Sequence, residues 1–242
     1  MTDDAYLFHK AQDAQQLPLY EGKMIWQFDA FYSAARFFVE EKEARKALLR
    51  ALPDTGQPLE YQRYRLAYRD VSASTNERTM IATLLPPSVF TGNTLVMCSS
   101  LSPMELLYLV AVMDSFTFDW LIRKKVSAHC NMFYVYQMPV PRLMPGNPAF
   151  EQIALRSARL ICTRPEFDDL AREAGISRDE RSTAPEIRAT TRAEVDAIVA
   201  HVYGLTEADL QHMLAAFPLV AEDVKTRVLE TFRTWKPASD DP

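Results

Sequence analysis

Apolar and polar residues alternate with a period of two across residues 61–71, YQRYRLAYRDV. That alternation predicts a β-strand with Tyr64, Leu66 and Tyr68 on one face and Arg63, Arg65 and Arg69 on the other. The run Ser72-Ala73-Ser74-Thr75-Asn76-Glu77 follows, rich in side chains that make turns with their own backbone. Residues 78–85, RTMIATLL, then return as a second strand and stop at Pro86-Pro87. The simplest arrangement puts the apolar face on a core and turns the arginines outward. Guanidiniums in a row repel one another unless an anion lies across them. The row therefore reads as an anion-binding surface or as an ordinary solvated face.

Helical spacing appears on either side. Residues 31–52 place Phe37, Ala44, Leu48 and Leu52 on one side and most of Glu40-Glu41-Lys42-Glu43 outside, with Pro53 ending the helix. A third short strand is expected over residues 93–100. Ser102-Pro103-x-Glu105 has a capping serine, a first-turn proline and a glutamate that closes the box. It opens a helix with Leu106, Leu109, Val110, Met113 and Phe116 at core spacing, and apolar character runs on through Trp120-Leu121-Ile122. Residues 132–136, MFYVY, read as a strand. After residue 146 the chain reads as helical. Asn147-Pro148 caps a helix that buries Phe150, Ile153, Ala154 and Ile161. The box Thr191-x-x-Glu194 opens another that buries Val195, Ile198, Val199 and Val202 and stops at Tyr203-Gly204. Thr206 caps the next, with Leu210, Met213, Leu214 and Phe217 inside. Residues 165–185 are charged and without period, which predicts the most mobile internal segment. The expected fold class is α+β: a small mixed or antiparallel sheet with packed helices over residues 1–145, then a helical region over 146–242.

Composition changes this picture in three ways. The 242 residues are 48% hydrophobic and 24% charged, as in a globular protein. No run approaches the ~20 apolar residues of a membrane helix, and Met1-Thr2-Asp3-Asp4 lacks the basic start of a signal peptide. Cys98, Cys130 and Cys162 lie far apart with no C-x-x-C, which points to a reduced, cytoplasmic protein without a metal or disulfide framework. The net charge is −5, but it is unevenly spread. Residues 61–142 hold eight basic and five acidic side chains, against 19 and 27 elsewhere. A basic middle between acidic ends is what a focused anion-binding surface looks like.

Two further stretches carry candidate chemistry. Residues 1–30 read as mostly irregular and end in LPLYEGKMIWQFD, where Gly22 marks a turn or a close backbone approach. Glu21-x-Lys23 has the spacing of part of a nuclease core, but no preceding strand-end Asp completes it. Lys23 is expected near a phosphate or an internal carboxylate. Arg123-Lys124-Lys125 suits the negative end of a helix dipole, yet no acidic residue occurs between Trp120 and Phe150. The helix pair around Gly204 invites a helix-turn-helix reading. Its second member opens Glu207-Ala208-Asp209 with no arginine or lysine, so a packed hairpin is expected instead. Six glycines, scattered singly, make no phosphate loop or dinucleotide fingerprint, and four histidines form no cluster. The residues alone describe an α+β binding module with a basic face.

Four blocks occur in order: 17–29 (LPLYEGKMIWQFD), 63–86 (RYRLAYRDVSASTNERTMIATLLP), the segment from Asp114-Ser115 through His129-Cys130-Asn131 to Met138-Pro139-Val140-Pro141, and 192–210 (RAEVDAIVAHVYGLTEADL). Together they resemble the C-terminal, target-recognition portion of type IIG restriction–modification enzymes and related adenine-specific DNA methyltransferases, including those of BREX phage defence. The family's glycine-rich S-adenosylmethionine motif and its Asn-Pro-Pro-Tyr/Phe motif are absent here; Asn147-Pro148-Ala149-Phe150 does not complete the latter. The resemblance thus implies a recognition half whose S-adenosylmethionine and base-flipping chemistry belong to a separate catalytic domain or chain. Double-stranded DNA is the implied partner. Arg63, Arg65, Arg69, Thr75, Asn76 and Arg78 would contact it along the hairpin, with Lys23, Arg123, Lys124 and Lys125 on phosphates. The alternatives are a scaffold that docks on a methyltransferase partner and an independent nuclease.

Overall fold

The arginine strand forms where the alternation predicts it, but both of its faces are covered. In the computed structural model, which describes residues 4–10, 13 and 15–235, this is the central strand of a three-stranded antiparallel sheet. Met1-Thr2-Asp3 lies outside the described residues. Strand β1 (Gln16–Tyr20) and strand β2 (Phe37–Glu40) precede helix α1 (Glu41–Leu49). Strand β3 (Arg65–Arg69) then pairs with β4 (Ala82–Leu85), Arg65 opposite Leu85 and Tyr68 opposite Ala82. After β5 (Phe90–Thr91), strand β6 (Leu95–Cys98) pairs with the other edge of β3, Leu66 opposite Cys98. A second small sheet has the order β2-β1-β5, antiparallel on one side and parallel on the other. Residues 16–20 are thus a strand rather than irregular chain. Phe37 shares a face with Val39 in β2, so the expected helix begins only at Glu41. Glu41 and Glu43 occupy its first turn, where the helix dipole favours acids. Leu48 and Leu52 are exposed instead of buried.

Helix α2 (Pro103–Asp114) starts at the expected box: Ser102 accepts from the Glu105 backbone while the Glu105 carboxylate accepts from the Ser102 N–H at 2.8 Å. Nearly every side chain from Leu106 to Asp114 is buried, the mark of a core helix covered all round. The apolar run does not continue as one helix. Ser115 adopts an extended conformation and caps a new one, α3 (Phe116–Arg123), by accepting from the Phe118 N–H. Residues 132–136 are a single helical turn, α4 (Met132–Val135), not a strand. Asn131 caps it, and that local hydrogen bond outweighs the β-preference of Phe133, Tyr134 and Val135.

In the helical part, α5 (Pro148–Ile161) is capped by Asn147, which accepts from Ala149 and Phe150. Residues 165–185 are packed rather than loose. They hold α6 (Asp168–Glu173), and Phe167 and Leu170 are fully buried, Phe167 stacked on Tyr64. Helix α7 (Pro185–Val202) begins six residues before Thr191. Pro185 sets the first turn; Thr191 instead back-bonds to the Ile187 carbonyl, and Glu194 pairs with Arg156 at 2.7 Å. Thr206 caps α8 (Glu207–Ala215), and α9 (Glu222–Thr234) packs on α7. Leu210, Leu214 and Phe217 are buried with Phe116 and Ala197, which makes the pair a packed hairpin. The main core runs across residue 145, with Tyr108 stacked on Phe150 at 4.9 Å. The chain is therefore α+β, with two small sheets and a helical C-terminal part. No helix among the described residues is long and apolar enough to cross a membrane.

One polar knot ties these layers together. Arg78 is 2% exposed and Asp119 fully buried, with Nε 2.7 Å from a carboxylate oxygen. The same carboxylate accepts from the backbone N–H groups of Thr79 and Met80. Asp114 accepts from Ala82 at 2.8 Å and from Phe28 at 3.1 Å, while Gln27 donates to the Met80 and Asp114 carbonyls. Arg192 donates to Gln27, and Asp196 accepts from the Phe116 N–H at 2.8 Å. Removing one member of a buried ion pair strands the other charge. Arg78→Ala is expected to lower stability by ~3–5 kcal/mol in urea unfolding.

A pH dependence follows from the same knot. Burial pushes the Asp196 carboxyl up to about 6, against the pull of Arg78, the Phe116 N–H and Arg192. Burial likewise raises the Asp114 carboxyl well above its ordinary value. A carboxyl whose folded pKa is raised binds more protons when folded, so its stabilising effect is lost as pH rises from about 4 to about 6. Asp196→Asn keeps an acceptor for the Phe116 N–H but cannot ionise. Urea midpoints at pH 4, 5 and 6 should therefore fall less for this variant than for the parent.

Candidate nucleic-acid interface

The arginines of β3 do alternate with Tyr64, Leu66 and Tyr68, but their face looks inward. Arg65 is 2% exposed and donates through Nη2 to the Val89 carbonyl at 2.6 Å. Desolvation pushes its guanidinium down to about 10, and it stays charged at neutral pH. Arg69 is half-buried; Nε donates to the Ile25 carbonyl at 3.1 Å and the group lies over the Trp26 ring at 5.1 Å. Arg78 sits in the buried knot, its guanidinium carbon 4.1 Å from the Phe116 ring centroid. The expected outward row is thus replaced by internal forks. The segments flanking β1 and β5 cover that face, and the Val89 and Ile25 carbonyls accept from the guanidiniums where an external anion was expected, while Arg65 Nε is buried without a partner. Arg63 is exposed, but it precedes the strand and lies roughly 20 Å from the Asp70 end at ~3.3 Å per residue.

The remaining expected residues gather beyond the other end of β3. Val71 bridges His129; the Cys130 N–H donates to the Asp70 carbonyl at 2.7 Å, and the Ser72 N–H to Ala128 at 3.1 Å. His129 Nδ1 lies 2.8 Å from the Asp70 carboxylate. These bonds lash the turn after β3 to the loop after α3. Arg123 fastens the tip: Nη2 donates to the Asn76 and Glu77 carbonyls, Nη1 to Ala216, and the group lies over Phe217 at 4.1 Å. Arg123 is therefore a structural clamp rather than a free phosphate contact, and burial lowers its guanidinium despite Asp119. What it holds in place is an exposed ridge of Thr75 and Asn76 on one side and Lys124 and Lys125 on the other. Lys124 lies 3.8 Å over the Trp120 ring, and Lys125 reaches Gln137 at 3.3 Å.

Lys23 lies apart, at a shallow depression of about 310 Å³ between Glu21, Gly22, Arg69, Val71 and Thr94. Its ammonium is 3.6 Å from the Glu21 carboxylate, the internal partner anticipated as one possibility. A Cβ on Gly22 would come within 2.9 Å of the Thr94 carbonyl, so this glycine is a close approach of two backbones. Three residues here had no separate signal. Arg36 forks onto Glu21 at 3.1 and 2.9 Å, and Trp26 stacks on Tyr32 at 5.4 Å, leaving Tyr32 57% exposed. Only Trp26 fell in the dense aromatic and charged stretch 17–29; Tyr32 and Arg36 lay in the segment expected to be helical. Among the described residues no group of three or more His, Cys, Asp or Glu side chains is placed to hold a metal ion.

No protein-family model and no curated protein sequence matches the chain. Among solved structures, the chain is similar to a type IIL restriction-modification enzyme, MmeI, determined in complex with DNA. The superposition covers 88% of this chain and 31% of that one, at 12% identity and a TM-score of 0.48. The chain thus spans about a third of that enzyme's length, and a likeness this coarse leaves function to the chain's own residues.

The two kinds of cation should separate cleanly on substitution. Arg65→Ala removes a packed side chain and strands the Val89 carbonyl, and is expected to cost ~2 kcal/mol or more. Lys124→Ala and Lys125→Ala should each stay within ~0.5 kcal/mol of the parent in the same denaturant titration.

Proposed function

We propose that this chain is the sequence-specific DNA-recognition part of an adenine-specific DNA methyltransferase or restriction–modification enzyme. Methyl transfer, with S-adenosylmethionine, would then belong to a catalytic domain elsewhere in the polypeptide or on a partner chain. The observation that carries the reading is the ridge itself. A turn bearing Thr75 and Asn76 is clamped from beneath by Arg123 and flanked by two exposed lysines. Both halves of the ridge lie within blocks that resemble the recognition portion of such enzymes. Phosphate contacts from flexible ammonium groups position a protein on duplex DNA, while short polar side chains on a rigid loop can meet base edges. Asn can pair bidentately with adenine. Trp26, Tyr32, Arg36 and Lys23 would extend the same contact along the backbone.

The test is fluorescence anisotropy of the 242-residue chain with duplex DNA across a salt series. Binding should weaken linearly in log–log terms as salt rises. Lys124→Ala/Lys125→Ala should reduce affinity and lower the slope by about one for each phosphate contact removed. Asn76→Ala should cost roughly 1–3 kcal/mol of preference for the recognised site and leave the salt slope unchanged. Parent affinity and slope in the double-lysine variant would remove the ridge from the interface.

A further inference from the structure

Three apolar side chains stand out of the surface within little more than one helical turn. Met132, Phe133 and Tyr136, on and beside α4, are 48, 69 and 80% exposed. On the inner side of the same turn Tyr134 and Val135 pack against the main core. Single apolar residues are ordinary on a surface, but three on one turn make a patch, and a patch marks an interaction site. The turn is also held in shape. Asn131 accepts from the Tyr134 N–H, and the Met138 N–H donates to the Val135 carbonyl. The Tyr136 hydroxyl reaches back to the Met132 sulfur at 3.5 Å, and Phe133 meets the Tyr134 ring edge-on at 5.7 Å.

The charge around this patch is positive. Residues 120–150, which contain α4, include no Asp or Glu and hold Arg123, Lys124, Lys125 and Arg142. One of these cations is tied to the turn itself. Lys125 Nζ donates to Gln137 Oε1 at 3.3 Å, and Gln137 Nε2 donates to the Phe133 carbonyl at 3.1 Å. Of the carboxylates on neighbouring segments, Asp70 is paired with His129 at 2.8 Å and Glu60 accepts from the Ser99 hydroxyl at 2.9 Å. An apolar protein face laid on the patch would bury ammonium groups without a counter-charge, which is costly. Duplex DNA matches both halves: phosphates for the lysines and base faces for the ring.

We propose that Phe133 is a wedge that enters a base step of duplex DNA while Lys124 and Lys125 hold the adjoining phosphates; this rests on the DNA reading above and adds a stacking contact to it. A ring inserted between base pairs unstacks them and bends the duplex. The lost stacking is offset by the aromatic face and by the protein surface that the bend brings into contact. Pyrimidine–purine steps unstack most easily, so TA and CA steps are the favoured entry points. The ring carries no charge, so its contribution adds nothing to the salt dependence that the lysines set.

The probe is a short duplex of repeated TA and CA steps in which 2-aminopurine, a base that fluoresces more strongly when unstacked, replaces adenine. Anisotropy of the same duplex gives affinity and salt slope. Saturation with the 242-residue chain should raise the 2-aminopurine emission. Phe133→Ala should abolish that rise and weaken binding roughly fivefold or more, the worth of one base–aromatic stack, with the salt slope unchanged. Phe133→Trp should restore both. Phe133 is exposed, so the variants should fold as the parent does, and Phe133→Gln stands in if the alanine variant does not. Salt-dependent binding by the parent without a rise in emission overturns the wedge and leaves the lysine ridge standing. A rise that survives in Phe133→Ala also overturns it, and parent affinity and emission in that variant would make the patch a protein-docking surface. Absence of salt-dependent binding by the parent removes the DNA reading and the wedge together.

Discussion

The buried Arg78–Asp119 pair is the constraint on which the arrangement of layers depends. An ion pair this far from water needs nearly every donor and acceptor occupied to offset the loss of hydration. The surroundings supply that. Asp119 takes the backbone N–H groups that lead into β4, Arg78 reaches the last carbonyl of α2, and Phe116 and Phe217 cover the guanidinium faces. Each bond joins elements distant in sequence: the hairpin, the α2–α3 break and, through Asp114, Gln27, Arg192 and Asp196, the N-terminal loop and α7. The break at Ser115 follows directly. A helix continued through it would hold back the Val112 and Asp114 carbonyls that Ser115 and Arg78 now use.

Legibility followed the range of the physics involved. Ser102, Asn147 and Thr206 announced their helices because a cap is decided within three or four residues. The hairpin of β3 and β4 was legible for the same reason, as alternation plus a turn. What alternation could not supply was the identity of whatever covers each face. Arg65 and Arg69 share a side as expected, but the carbonyls of Val89 and Ile25, 24 and 44 residues away, turn that side into interior. Thr191-x-x-Glu194 misled in the opposite way. Its residues fit a box, but Pro185 had already begun the helix, and Arg156 and Ile187 claimed both side chains.

The candidate site divides along the same line. The lysine pair was visible as a cation run without acidic neighbours, and the structure places it at the surface. The rest of the candidate site depends on tertiary pairing of residues 70–72 with 128–130, for which no sequence signal exists. Trp26 was present in an aromatic-rich stretch and Tyr32 in a segment expected to be helical, but their stacking is a consequence of the tight loop closed between Trp26 and Asp29.

Net charge over a segment does not say which of its side chains meet solvent, and residues 61–142 show why. Of the eight basic side chains, Arg65 and Arg78 are interior, while Arg69 and Arg123 are held by backbone carbonyls. Of the five acidic ones, Asp114 and Asp119 are interior. The two buried bases and two buried acids cancel, so the excess of positive charge stays outside the core, where the fully exposed members are Arg63, Lys124, Lys125 and Arg142 against Glu77. The division also has a chemical logic. Guanidiniums are planar forks, weakly hydrated, and suit fixed carbonyls and aromatic faces; ammonium groups are strongly hydrated and remain outside on flexible stems. Arg65, Arg69, Arg78 and Arg123 therefore build the framework, and Lys124 and Lys125 lie at its surface beside Trp120 and Gln137.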